Sequence, residues 1–159
     1  MWTEQKILPF LWFDGNGEEA VQHYLSIFKD GRILDTLLWG KTNPELEGKV
    51  LTQTFEIQGQ RFVILNGGPQ FKFTEAISFL VACKDQAEID YYWEKLGAGG
   101  EYGPCGWLKD KFGLSWQIAP NALHDMLQDK DADKAARAMQ AMMQMGKIDL
   151  ATIEKAFKG

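Results

Sequence analysis

Pro9-Phe10-Leu11-Trp12-Phe13 and Ser78-Phe79-Leu80-Val81-Ala82 are short apolar runs 69 residues apart, and laying one over the other decides how the chain is read. At the same offset Glu19 falls on Glu88, Tyr24 on Trp93 and Gly31 on Gly100. The identities are few, so the weight rests on the order of elements, which repeats. Ile7 to Phe13 reads as a strand ended by the turn residues Asp14-Gly15-Asn16-Gly17. Asn16 is placed as a helix N-cap, with Glu18 and Glu19 in the first turn, where acids suit the helix dipole. Ala20, Tyr24, Ile27 and Phe28 recur at helical spacing until Lys29-Asp30-Gly31 stops the helix. Arg32 to Trp39 is a strand; Val50 to Ile57 and Gln60 to Leu65 form a hairpin around Gln58-Gly59.

The second half gives the same order: a strand over Ala76 to Cys83, a cap at Lys84-Asp85, and a helix from Gln86 to Leu96. That helix carries Ile89, Tyr92, Trp93 and Leu96 on one face. Gly97-Ala98-Gly99-Gly100 breaks it, and the strands Glu101 to Trp107, then Leu108 with Leu114 to Ala119, enclose the turn Asp110-Lys111-Phe112-Gly113. The hairpin glycines Gly59 and Gly113 are only 54 apart, so the first module carries about fifteen extra residues, placed in the polar loop Gly40 to Gly48. After Pro120 and a linker Asn121 to Asp125, the Ala- and Met-rich stretch Asp133 to Met145 reads as a helix. Ala135, Ala138, Met139, Met142 and Met143 form its buried stripe, as core or dimer contact. Asp149 caps a last helix, Leu150 to Phe157, completing a helical hairpin.

The fold class is therefore α+β. Two βαβββ modules, 5–68 and 74–120, make up a duplicated region 1–120, and 121–159 is a helical extension. Composition agrees: 159 residues, 45% hydrophobic, exclude disorder. A net charge of −5 argues against nucleic acid, and no apolar run approaches the roughly 18 residues of a membrane helix. The start, Met1 to Lys6, shows no signal-peptide pattern, and Cys83 and Cys105 make no disulfide framework, so a cytoplasmic protein is expected.

Four stretches carry a resemblance to a known family. They are Pro9 to Gly15 with Glu19-Ala20, Leu65 to Pro69, Phe71 to Ser78, and the specific run Cys105-Gly106-Trp107-Leu108-Lys109-Asp110-Lys111-Phe112-Gly113-Leu114-Ser115-Trp116-Gln117. The chain resembles the PhnB-like branch of the vicinal-oxygen-chelate (glyoxalase/bleomycin-resistance) superfamily, whose members often bear the name demethylubiquinone methyltransferase. The resemblance implies the duplicated βαβββ fold as curled mixed sheets with a cup, a homodimer, and a divalent metal in the cup held by His and Glu from first and last strands. At those positions this chain places Pro9 and Ser78, then Gln117, with Asn66 as its counterpart in module one. Proline offers no ligand atom and neutral Ser, Gln and Asn are weak ligands, so no metal and no cofactor is expected.

The cup remains. If the ligand face lines it, Leu11, Phe13, Asn66, Ser78, Leu80, Ser115 and Gln117 are the ligand-binding candidates, while Trp12, Phe79, Val81, Trp116 and Ile118 pack under the helices. Such a concavity suits a small apolar or aromatic molecule. Trp39, Phe71, Phe73, Tyr102 and Trp107 lie near loops or rims, and two or three of them are expected to wall the pocket. His23 and His124 read as surface residues, Cys83 as core and Cys105 as a structural thiol with no evident activating histidine. Gly97 to Gly103 follows a helix, so it is a helix stop and not a dinucleotide loop. The expected function is metal-independent small-molecule binding or catalysis. The alternatives are a methyltransferase acting on a quinol, for which no strand–Gly-loop–helix motif is present, and a dimeric scaffold using the Met-rich hairpin.

Overall fold

The computed structural model describes residues 4–159 and divides the chain into two compact units, 1–72 and 73–159. In the first unit the elements run β1 (Phe10–Phe13), α1 (Gly17–Ile27), β2 (Arg32–Leu38), β3 (Val50–Ile57) and β4 (Gln60–Asn66). Their order in the sheet is β1-β4-β3-β2, with β1 and β4 parallel and the other pairs antiparallel. Helix α1 buries Ala20, Val21, Tyr24 and Ile27. Tyr24 stacks on Phe55 of β3 at 6.1 Å between ring centroids, and Phe55 on Phe62 of β4 at 5.5 Å. Asn16 occupies the N-cap position, but its side chain makes no cap bond. Asn66, at the end of β4, does that work: its Oδ1 accepts from the Gly17 N–H at 2.9 Å.

The second unit repeats the order: β5 (Phe79–Cys83), α2 (Gln86–Gly97), β6 (Glu101–Tyr102), β7 (Trp107–Lys109) and β8 (Ser115–Pro120), paired β5-β8-β7-β6 with β5 and β8 parallel. Asp85 caps α2 by accepting from Glu88 N–H at 2.9 Å, and the Glu88 carboxylate accepts from Lys84 N–H at 2.9 Å, a reciprocal bracket on the helix start. The expected α+β class, two four-stranded mixed sheets with C-terminal helices, is what the structure has.

Three details depart from the expectation. The extra residues of module one are not confined to the polar loop, since β2 and β3 have 7 and 8 residues against 2 and 3 for β6 and β7. The linker after Pro120 is itself a helix, α3 (Asn121–Leu127), seven residues long and anchored by buried Leu123 and Met126. Two turns of helix are too short to show a period in the sequence. The stripe on α4 (Ala132–Met143) buries only Ala138; Met139 and Met143 are exposed.

Helix α5 (Leu150–Lys158) packs against α4, and Arg137 donates to the carbonyls of Ala156 and Phe157, both at 2.9 Å, satisfying the open end of α5. The turn between α4 and α5 is pinned to the β6–β7 loop by Cys105 N–H to Met145 C=O and Gly106 N–H to Gly146 C=O, each 2.8 Å. Among the described residues no helix is long and apolar enough to cross a membrane.

Candidate functional site

The β7–β8 hairpin builds one wall of a cavity in the second unit. Its turn is held by the buried Asp110 carboxylate, which accepts from Phe112 N–H (2.9 Å), Leu114 N–H (3.1 Å) and the Trp116 indole N–H (3.0 Å). Those bonds fix the register in which Trp107 faces Gln117, Leu108 faces Trp116 and Lys109 faces Ser115. Cross-strand partners share a face. Leu108, Trp116, Phe79, Val81 and Ile118 therefore turn one way, toward α2, where Tyr102 beside Leu108 stacks on Trp93 at 4.8 Å. Trp107, Lys109, Ser115, Gln117 and Leu80 turn the other way, as the expected alternation for module two requires.

Trp107, Lys109 and Ser115 of this second face line a cavity of about 470 Å³, together with Glu75, Glu101, Tyr102, Pro104 and Leu108. The Lys109 ammonium is paired with Glu75 and lies 3.9 Å from Glu101. Glu75 raises the Lys109 pKa above its ordinary value, with Glu101 adding to it, and Lys109 holds the Glu75 carboxyl below its own. The Ser115 hydroxyl is buried and finds no hydrogen-bond partner among the described residues. Of the expected rim aromatics, Trp107 and Tyr102 wall this cavity. Trp39 lines a separate one of about 330 Å³ in the first unit, beside Asp14, Glu18, Lys49 and Asn66.

Ser115 is the one sequence-derived candidate in the wall of the larger cavity. Ser78, Leu80 and Gln117 share its surroundings. Gln117 Nε2 donates to Ser78 Oγ at 2.9 Å, and Leu80 is 59% exposed.

Module one does not follow the same alternation. Leu11 and Phe13 pair with Ile64 and Asn66, and both of those lie within 3 Å of where a Cβ on Gly17 would stand, at the start of α1. Leu11 and Phe13 are accordingly buried under the helix instead of facing a cup. Trp12 takes the opposite side, edge-on to Phe71 at 4.9 Å, with its indole N–H on the Gly68 carbonyl. The cause is one residue. Three residues, Asp14 to Asn16, separate β1 from α1, whereas two, Lys84 and Asp85, separate β5 from α2. An offset that aligns both helices is thus one residue out for the strands, and a slip of one exchanges the two faces.

Asn66 turns to the helix side for the same reason, and there it lines the 330 Å³ cavity of the first unit. It pairs with Phe13 on the helix side, and its Nδ2 donates to Glu18 Oε1 (2.7 Å) and the Val50 carbonyl (3.0 Å). Matched through the hairpins, the counterpart of Gln117 is Val63, not Asn66.

The remaining candidates stay outside the chemistry. His124 is exposed on α3, while His23 is half-buried with its ring beside Tyr24, not on the open surface. Burial pushes the Cys83 thiol up to about 12, which keeps it protonated and inert. Cys105 is half-buried at φ 57°, its N–H committed to Met145. The residues at the positions that the resemblance assigns to metal ligands do not fit a divalent ion: Gln117 and Ser78 are neutral and hydrogen-bonded to each other, and Val63 has no ligating side-chain atom. Among the described residues no group of three or more His, Cys, Asp or Glu is gathered as a metal site.

Comparison with known proteins points one way. A family model described as 3-demethylubiquinone-9 3-methyltransferase matches residues 5–119. The PhnB protein from Bacillus cereus is 35% identical, with 73% of this chain and 99% of that one covered at a TM-score of 0.64. Protein PA1353 from Pseudomonas aeruginosa is 20% identical over 74% and 98% of the two chains, TM-score 0.61. The fosfomycin resistance protein FosX from Mesorhizobium loti is 16% identical over 73% and 90%, TM-score 0.52. The last two show likeness of fold alone. No curated protein matches the chain.

Proposed function

The chain belongs to the 3-demethylubiquinone-9 3-methyltransferase family, the PhnB-like branch of the vicinal-oxygen-chelate fold, and from that premise we propose that it binds a small apolar or aromatic molecule without a metal. The observation that carries the reading is the 470 Å³ cavity on the module-two sheet, walled by Trp107, Tyr102 and Pro104 with Ser115, Lys109, Glu75 and Glu101 as its polar members. A mostly apolar concavity with a few placed polar groups is the general form of a small-molecule site. Ser78, Leu80 and Gln117 continue that face and extend the contact surface of a longer ligand. Leu11, Phe13 and Asn66 serve the fold of module one and are not assigned to it.

Methyl transfer, which the family's name describes, needs a methyl-donor site as well. Asn66 to Pro69 leaves a strand without opening a helix, and Gly97 to Gly100 lies between α2 and β6. Neither is a strand-to-helix turn, and at the glycine-bearing turn that is one, Asp14 to Gly17 between β1 and α1, the Gly17 N–H is already taken by Asn66 Oδ1, which favours binding over transfer. The same reading takes the protein as a cytoplasmic homodimer. Its two cysteines are free thiols, and Ile33, Leu34, Leu37 and Leu38 of β2, with Met139 and Met143, offer apolar surface for a second copy.

The test is the melting temperature with 2-naphthol as probe. At ten times the dissociation constant a native-state ligand adds about 1.4 kcal/mol, a rise of roughly 2–5 °C for a chain of this size. Trp107→Ala removes the largest wall and should abolish the rise. An unchanged melting temperature across a panel of neutral aromatics, or an undiminished rise in Trp107→Ala, overturns the proposal.

A further inference from the structure

Resting on that reading of the cavity, we infer that its ligand is a neutral aromatic carrying one hydrogen-bonding oxygen, a hydroxyl or carbonyl, and that Ser115 is the residue that recognises it. Two observations meet here. The first is Ser115, a residue 1% exposed in the wall of the cavity, whose buried hydroxyl finds no partner among the described residues. A buried hydroxyl left unmatched is unfavourable, and native structures rarely keep one unless something completes it. Its cross-strand neighbour Lys109 lies on the same face, so an oxygen held by Ser115 sits beside an ammonium.

The second observation is charge. Among the described residues Lys109 is the one cation lining the cavity, and two carboxylates, Glu75 and Glu101, already hold it. The charged lining therefore sums to minus one. A carboxylate ligand would have to displace Glu75 from Lys109 and lie next to both acids, whereas a phenol or ketone meets no such opposition and still satisfies Ser115.

Three probes of one shape separate these terms: 2-naphthol, 2-methylnaphthalene and 2-naphthoate, titrated by tryptophan fluorescence at pH 7. One neutral hydrogen bond corresponds to about a five-fold affinity difference, so naphthol should bind about five-fold tighter than methylnaphthalene, and naphthoate weakest. Ser115→Ala should erase the advantage of naphthol over methylnaphthalene while leaving methylnaphthalene binding unchanged. It should also raise the melting temperature of the free protein, because an unmatched hydroxyl is gone. Glu75→Gln combined with Glu101→Gln should improve naphthoate binding several-fold, and by more than it changes naphthol binding. Equal binding of naphthol and methylnaphthalene, a Ser115→Ala preference identical to wild type, or naphthoate as the tightest probe overturns this inference while leaving the cavity reading standing. Failure of all three probes to bind overturns both.

Discussion

Truncating Leu11 and Leu80 to alanine separates two residues that a uniform 69-residue offset treats as equivalent. Leu11 is 5% exposed beneath α1, and Leu80 is 59% exposed on the opposite kind of face. Leu→Ala removes three carbon atoms at about 0.8 kcal/mol each, so full burial gives about 2.4 kcal/mol before any cavity term. Under α1 the space left between Ile64 and the helix start cannot collapse freely, which brings the expected loss for Leu11→Ala to about 3 kcal/mol. Leu80 keeps less than half of its surface from water, encloses no void when shortened, and should lose about 1 kcal/mol or less. The assay is equilibrium urea unfolding followed by far-UV circular dichroism on both variants, with the midpoint compared at unchanged slope. A difference near 2 kcal/mol in the stated order supports the extra turn residue in module one. Equal losses, or a larger loss for Leu80→Ala, would refute the assignment of faces.

Two further outcomes follow from the hairpin beneath the cavity. Asp110→Ala strands the buried Leu114 N–H and Trp116 indole N–H, each a hydrogen bond to a carboxylate, and should cost about 3 kcal/mol in the same urea assay. A loss below 1 kcal/mol would show that the turn holds without its carboxylate. The Glu75 carboxyl is held below its ordinary 4.5 by Lys109, so its contribution is present above pH 4.5 and is lost as pH falls through the lowered folded value. Its titration by NMR should have a midpoint under 4.5 that moves upward in Lys109→Gln, and a wild-type midpoint at or above 4.5 would remove the pair.

Much of the fold was legible because its signals are local. The periodic apolar positions of α1, the hairpin glycines and the caps Asp85 and Asp149 each act within a few residues of themselves. Strand faces in module two were legible for the same reason: Trp116 and Ile118 are buried, and Ser115 and Gln117 turn away from them. The faces of module one were not, because parity there depends on the count of residues in one turn, and the run Phe10 to Phe13 is apolar on both sides.

The proposed site draws on signals of two kinds. Ser115, Trp107 and Tyr102 stood out as a strand-face serine and rim aromatics. Glu101 and Lys109 join Ser115 through strand register, but the arrival of Glu75 at Lys109 depends on the course of the loop before β5, which no spacing encodes. The Met stripe misled because helical periodicity reports that a face is apolar and does not say what covers it; Met143 is 60% exposed.

The most direct test is a ¹⁵N–¹H NMR titration of the whole chain with 2-naphthol, with backbone and indole resonances assigned. The expected result is saturable shifts concentrated on Tyr102 to Lys109 and Ser115, with the Trp107 indole among the largest. Shifts concentrated instead on Asp14 to Glu18 and Trp39, or none that saturate, would contradict a ligand site on the module-two sheet.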